Sequence, residues 1–175
     1  LCRDSTLCLA FVYGEIRKSV RQVDTTMAVA GQRGLTGNER RIVGFVAASH
    51  ALDHGLELVY AAVLTVIGLQ FGAGLFLLGA IANALALASG LSAPVGGFLS
   101  DRLGSKRMLV VQLISAAGMA FLVAASTSLW MLAVTLTLLG LAIGLYHPIG
   151  LSFITRTVRQ RSRAIGFHGM GGNIG

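Results

Sequence analysis

The most constraining feature of this 175-residue sequence is a series of apolar runs, each long enough to cross a bilayer. A membrane-spanning helix needs about 20 predominantly apolar residues. Charged residues make up only 12% of the chain, against about 25% in a typical soluble domain. The sequence therefore predicts an all-α integral membrane protein with four complete spans and the start of a fifth. The runs cover residues 42–67, 75–99, 108–125 and 129–154, and the fifth starts near residue 164.

The basic residues lie between the apolar runs and not inside them. Of the fourteen Lys and Arg residues, seven precede residue 42, three lie at 102–107 and four at 156–163. The connectors at 68–74 and 126–130 carry no charge. Basic loops that alternate with neutral ones predict a multi-pass protein of the cell inner (plasma) membrane, with its N-terminus in the cytoplasm. The same distribution offers no basic face for phosphates, so we expect no nucleic-acid partner.

The first 41 residues are polar and basic, and we expect a disordered leader there. The first methionine is Met27, which suggests that residues 1–26 are not native. Cys2 and Cys8 have no metal-binding spacing. Residues 42–175 are expected to be a partial transmembrane domain, the N-terminal part of a longer chain.

The stretch SHALDHGLE, residues 49–57, puts four ionisable side chains inside the first apolar run. His50, Asp53, His54 and Glu57 follow the spacing i, i+3, i+4, i+7, so a helix would place them on one stripe near the midplane. A charge at that depth costs at least about 2.5–3.5 kcal/mol, so the stripe should face protein or water. We predict that it lines a polar cavity and exchanges protons.

Two other interpretations of the stripe stay open. The four groups can pair with one another and simply determine how the helix packs. They also have the ligand types and spacing of a Zn²⁺ site, completed by His147 from the fourth run.

The loop GGFLSDRLGSKR, residues 96–107, separates the second and third runs. Gly97 is expected to allow a close helix approach, Asp101 to pair with a base or a helix N-terminus, and Gly104 to permit a tight reversal. The full pattern is Gly97-x3-Asp101-Arg102-x-Gly104-x-Lys106-Arg107.

This loop resembles the signature loop between helices two and three of the major facilitator superfamily of secondary transporters. It departs from the family at Ser105, where a further basic residue is expected. The resemblance implies that the motif is a conformational gate in which Asp101 joins a charge–dipole lock, with Arg102 and Arg107 as its partners.

The fourth run ends in LGLAIGLYHPIG, residues 139–150. Pro148 disrupts a helix, and the carbonyls it frees favour a cavity-lining role for His147, although an incidental histidine at a proline kink explains the pattern equally well. Gly140 and Gly144 are expected to serve helix packing.

Three short strings, SHALDH, YHP and HGMGGNIG, resemble one subgroup of that superfamily, the fosmidomycin-resistance-type drug exporters. His54 replaces the second acid of the subgroup's first motif, and Ile149 replaces the Glu that follows its His-Pro, so coupling through Glu57 is implied instead. The matching residues are Ser49, His50, Asp53, His147, Pro148, Gly171, Gly172, Asn173 and Gly175.

The resemblance implies a major facilitator-like helical bundle that works by alternating access between two halves. We expect proton-coupled export of a small organic solute or drug, with the bilayer, the substrate, protons and the missing C-terminal half of the chain as partners. No enzymatic activity, cofactor or resident metal is expected. The alternatives are a membrane-embedded metal-binding protein or metalloenzyme that uses the stripe, and a non-transporting, sensor-like homologue.

Overall fold

The computed structural model describes residues 13–22 and 34–175. These residues are helical apart from short connectors, and no strand occurs among them, which confirms the predicted all-α class. The helices are α1 (13–22), α2 (Gly37–Ala62), α3 (Leu64–Phe71), α4 (Leu75–Leu103), α5 (Ser105–Ala124), α6 (Leu129–Gly144), α7 (Tyr146–Thr157) and α8 (Arg161–Ile174).

The chain divides into two compact units, Leu1–Thr36 and Gly37–Gly175. In the first unit, α1 covers part of the leader for which the sequence predicts disorder, and a Lys18–Glu15 ion pair of 2.8 Å connects adjacent turns of this helix. The rest of the predicted leader up to residue 33 lies outside the described residues.

The second unit contains four helical segments that are long and apolar enough to cross a membrane: Gly37–Ala62, Leu75–Leu103, Ser105–Ala124 and Leu129–Thr157. The hydrogen-bonding of the first segment continues beyond Ala62. The amide of Val63 donates to the carbonyl of Val59 at 3.1 Å, and the amide of Ile67 donates to the carbonyl of Val63 at 3.0 Å. The apolar helix thus continues through α3 into the predicted connector, and stops at Gly72, whose φ of 62° favours glycine.

Large apolar side chains cover the outside of this unit. Phe76, Leu69 and Leu75 are 91%, 82% and 78% exposed. Such a surface is unfavourable in water and suited to lipid chains, as expected of a membrane protein.

Close helix packing depends on glycine. Helix α4 packs on α6, and a Cβ on Gly140 or Gly144 would overlap the backbone of Leu85 or Ser89. Helix α2 packs on α8 in the same way, because a Cβ on Gly171 would overlap the backbone of Ala47. The packing role predicted for Gly140 and Gly144 is confirmed.

The fourth span is interrupted where its proline motif begins. Helix α6 ends at Gly144, and α7 starts at Tyr146 after a single intervening residue, with Pro148 as its third residue. Proline has no backbone N–H, so the carbonyl of Gly144 lacks its usual helical partner. At this break Tyr146 is buried against α2 and α8, whereas His147 is exposed with its ring near that of His50.

Candidate functional site: a histidine cluster and a buried carboxylate

All four histidines of the chain meet in one cluster. The ring of His50 on α2 stacks on that of His168 on α8, with centroids 4.0 Å apart and planes 13° from parallel. The rings of His54 and His147 lie 4.8 and 5.1 Å from His50. Three spans or span beginnings, namely α2, α7 and α8, therefore contribute to this histidine cluster.

His50 is the centre of the cluster and is held on both sides. Its Nδ1 lies 2.8 Å from the carbonyl oxygen of His168, a distance at which the imidazole N–H donates to that carbonyl. Its Nε2 lies 3.2 Å from Nε2 of His54. Gly172 lies against the ring, which leaves no room for a Cβ at that position.

Tyr146 anchors the same region. Its ring lies 5.4 Å from that of His50, and its hydroxyl donates a hydrogen bond to the carbonyl of Val46 one turn earlier on α2. The side chain is completely buried. This contact fixes the beginning of α7 against α2.

The remaining members of the cluster are more accessible. His147 is exposed, and the side chains of His54 and Glu57 are 30% and 34% exposed. The Nδ1 atom of His54 lies 3.8 Å from a carboxylate oxygen of Glu57. One side of the cluster is thus open, while His50 and His168 close the other.

Asp53 turns away from the histidines. Its carboxylate accepts a hydrogen bond of 3.2 Å from the side-chain amide of Gln112 on α5, and the residue is only 4% exposed. The structure therefore divides the predicted stripe, with His50, His54 and Glu57 in the cluster and Asp53 between α2 and α5.

A cavity of about 350 Å³ adjoins Asp53 and Gln112. Leucine, alanine and phenylalanine side chains from α2 and α5 form the rest of its wall. The second side-chain atom of the amide, Oε1 of Gln112, is buried without a hydrogen-bond partner among the described residues. The cavity thus combines an apolar wall with one carboxylate and one unsatisfied amide oxygen.

The loop motif lies at the opposite end of α4 from Gly74. Asp101 forms an ion pair with Arg156 at the end of α7, with an N–O distance of 2.5 Å. The predicted pairing of Asp101 with Arg102 or Arg107 is therefore wrong. The reason is geometric, because Arg102 lies over the ring of Phe98, 4.5 Å from its centroid. Lys106 and Arg107 are exposed.

A family model described as Major Facilitator Superfamily matches residues 43–175. The chain belongs to the major facilitator superfamily. It is therefore a multi-pass membrane protein of a transporter superfamily, as its apolar helices also indicate. Comparison with curated proteins and with solved structures gave no match.

Two residues of the signature loop, Gly104 and Ser105, have clear structural roles. Gly104 joins α4 to α5 as a single residue with a φ of 91°, so the predicted tight reversal is confirmed. Ser105, the departure from the family pattern, is buried and shares hydrogen bonds of 2.9 Å with Ser100 and Ser152. A basic side chain at this position would have to displace that serine chain.

The close approach predicted for Gly97 occurs one residue earlier. A Cβ on Gly96 would lie 2.8 Å from the carbonyl oxygen of Leu145, whereas one on Gly97 would lie 3.8 Å from Pro148. Gly96 therefore accommodates the break between α6 and α7, and Gly97 has room for a methyl group.

The sequence did not predict Gln112, Arg156 or His168 as site residues. Gln112 carried a usable signal, because it is a lone amide within an apolar run, where polar groups are expensive. His168 appeared only within a string of the subgroup resemblance. Arg156 gave no local signal, since any cytoplasmic loop is expected to contain Arg.

Proposed function

We propose that this superfamily member is a secondary transporter that exports a small organic solute or drug in exchange for protons. The observation that carries this proposal is the carboxylate of Asp53, which is 4% exposed within the first span and adjoins an apolar cavity. Among the described residues, the ion pairs do not include Asp53.

A buried carboxylate without a cationic partner is costly when charged, and a bound proton removes the charge. Within the described part of the chain, the neutral amide of Gln112 donates the hydrogen bond that this carboxylate accepts. Loading and release of a proton at Asp53 would therefore change the free energy of the surrounding helices, and this change biases a carrier between its inward- and outward-facing states.

The cavity supports a small solute as cargo. Its volume of about 350 Å³ lies at the lower end of the range of about 300–1,000 Å³ that is typical of small-molecule sites. The apolar wall favours the hydrophobic part of a solute, and the free Oε1 of Gln112 accepts a hydrogen bond.

The histidine cluster offers further proton-binding groups close to Asp53. His54, Glu57 and His147 are accessible from one side, and His50 joins them to the interior. We infer that Glu57 takes part in coupling together with Asp53, as the subgroup resemblance implies where Ile149 replaces its Glu. Export of a drug is proposed from that same resemblance.

We further propose that residues 42–175 are the first part of a longer carrier whose second half completes the translocation path. On the positive-inside rule, we propose that the N-terminus lies in the cytoplasm, on the same side of the inner (plasma) membrane as the basic loops. Trp130, 79% exposed at the start of α6, lies where an interfacial aromatic residue is expected. Asp101 and Arg156 then join the cytoplasmic ends of spans two and four as part of the gate.

The experiment uses the full-length protein reconstituted into liposomes that contain a pH-sensitive dye. Two probes are tested: fosmidomycin, because of the subgroup resemblance, and a lipophilic cation, because the cavity combines apolar walls with a carboxylate. Asp53→Asn and Glu57→Gln keep the size of each side chain and remove the ionisable group. Each is expected to abolish solute-driven proton movement, whereas Asp53→Glu and Glu57→Asp, which keep an ionisable carboxyl group at the same position, should retain part of it.

Proton movement that persists unchanged in both Asp53→Asn and Glu57→Gln would show that the coupling residues are wrong. Solute flux that persists without proton movement would favour a facilitator. If neither probe moves and no other solute does, the sensor-like alternative is preferred.

A further inference from the structure

We propose that His50, His54 and His147 form a binding site for a divalent transition-metal ion of the Zn²⁺ type. One ligand nitrogen from each of the three imidazoles lies within 4.8 Å of the other two. Two of these residues are on α2 and the third is on α7, so a bound ion would connect the first span to the fourth. The site differs from the stripe expected from the sequence, because Asp53 faces Gln112 instead.

The distance between the Nε2 atoms of His50 and His54 is close to that between two nitrogens bound to one metal ion. Zn²⁺ binds imidazole nitrogen at about 2.0–2.1 Å, so nitrogens around a tetrahedral ion lie about 3.4 Å apart. The two Nε2 atoms are 3.2 Å apart, close to this value. The third nitrogen would come within bonding distance by rotation of the exposed His147 side chain.

The atoms behind the two ligands support the same assignment. A histidine that binds a metal usually directs its other ring nitrogen at a carbonyl or carboxylate oxygen, which sets the tautomer and orients the ring. Nδ1 of His50 faces the carbonyl of His168 at 2.8 Å. Nδ1 of His54 faces the carboxylate of Glu57 at 3.8 Å. The Nε2 lone pair of His50 is thereby left for an ion, and that of His54 becomes available when the ion replaces the hydrogen bond between the two Nε2 atoms.

The surroundings permit an ion to enter and determine which ion is preferred. His54, Glu57 and His147 are accessible from one side of the bundle. Glu57 supplies a negative charge next to the site, which offsets part of the charge of the ion. Imidazole ligands suit Zn²⁺, Co²⁺ and Ni²⁺, whereas Mg²⁺ prefers oxygen. Three protein ligands leave one position open for water or another molecule.

The test measures metal binding to the purified full-length protein in detergent, with any polyhistidine tag removed. Co²⁺ is the first probe, because its visible absorption reports nitrogen ligands directly, and Zn²⁺ is then titrated in competition. We expect one ion per chain. His54→Ala and His147→Ala should each weaken binding by at least about 10- to 100-fold, the range found even for residues that only orient a ligand. Glu57→Gln should weaken binding less than either.

His168→Phe is the matched control. It also removes one histidine, but it keeps an aromatic ring for the stack on His50 and keeps the main-chain carbonyl that orients it. Its affinity for Co²⁺ should stay within a few-fold of the unmodified protein. Thermal unfolding checks that each variant is folded. Zn²⁺ should raise the Tm of the unmodified protein and of His168→Phe by similar amounts, and the Tm of His54→Ala and His147→Ala by less.

Three results would overturn the site: Co²⁺ affinity that is unchanged in the double variant of His54 and His147, equal loss in His168→Phe, or competition by Mg²⁺ at the same concentration as Zn²⁺. The metal site does not depend on proton coupling. Asp53→Asn should keep metal binding while losing solute-driven proton movement, so the two proposals fail separately.

Discussion

Replacing Gly96 by alanine should destabilise the protein, whereas the same change at its neighbour Gly97 should not. The two residues are adjacent on α4, but they face the break in the fourth span differently. A Cβ on Gly96 would lie 2.8 Å from the carbonyl oxygen of Leu145, 3.0 Å from the Cα of Leu145 and 3.1 Å from the ring of Pro148. Two of these atoms belong to the backbone, which cannot rotate away.

The expected size follows from two opposing effects. Overpacking against a rigid neighbour costs about 1–3 kcal/mol. Alanine in place of glycine inside a helix recovers about 0.5–1 kcal/mol. The net change at Gly96 is therefore a loss of up to about 2.5 kcal/mol in the free energy of unfolding. At Gly97 the nearest atom would be 3.8 Å away, an ordinary contact, so only the helical gain of about 0.5–1 kcal/mol remains.

The assay is reversible unfolding in mixed micelles, with increasing mole fraction of SDS and far-UV circular dichroism as the signal. The two variants should differ by about 1–3 kcal/mol, with Gly97→Ala the more stable. Gly90→Ala, at a position with open space around it, serves as a second control on the same helix. If Gly96→Ala equals or exceeds Gly97→Ala in stability, the close contact between α4 and the break at Leu145 is wrong.

Three further predictions concern polar contacts between different helices. Ser105→Lys should lower the unfolding free energy by several times the effect of Ser105→Ala, because only the lysine buries a charge among Ser100 and Ser152; equal losses in unfolding titrations would refute this. Asp101→Asn should lower the unfolding free energy by at most about 1 kcal/mol, and by less in high salt, since both side chains of the pair with Arg156 are more than half exposed. The double variant that exchanges Asp101 and Arg156 should recover this stability, and failure to recover it would contradict direct pairing. Tyr146→Phe should cost about 0.5–1.5 kcal/mol, because it removes one buried hydrogen bond to Val46 and keeps the ring; an unchanged unfolding midpoint would show that this bond contributes nothing.

Much of the helical framework was predictable from local sequence. Run length and the absence of charge locate each span, because a bilayer accepts only helices whose backbone groups are satisfied internally. Gly104 and Pro148 mark their turn and break through properties of single residues, a positive φ in one case and a missing N–H in the other. The boundary of the first span was predicted less well, since helix α3 continues to Phe71, four residues into the predicted connector.

The site was predictable only in part. The spacing of His50, His54 and Glu57 correctly suggested that they meet, because residues three and four apart are neighbours on any helix. The same rule also joined Asp53 to them, and here it was insufficient. Helical periodicity gives the angle of a side chain around its own axis, but it does not say which neighbouring helix lies at that angle.

The sequence by itself determined that this chain is a helical membrane protein with polar groups within its first span. The tertiary structure alone decided which groups meet. His50 contacts a carbonyl 118 residues away, and Asp53 contacts an amide 59 residues away. These pairings depend on how closely the helices pack, which glycines such as Gly171 permit by letting two backbones touch. Local composition selects helices for lipid, whereas packing between distant helices places a carboxylate at a cavity and brings four imidazoles together.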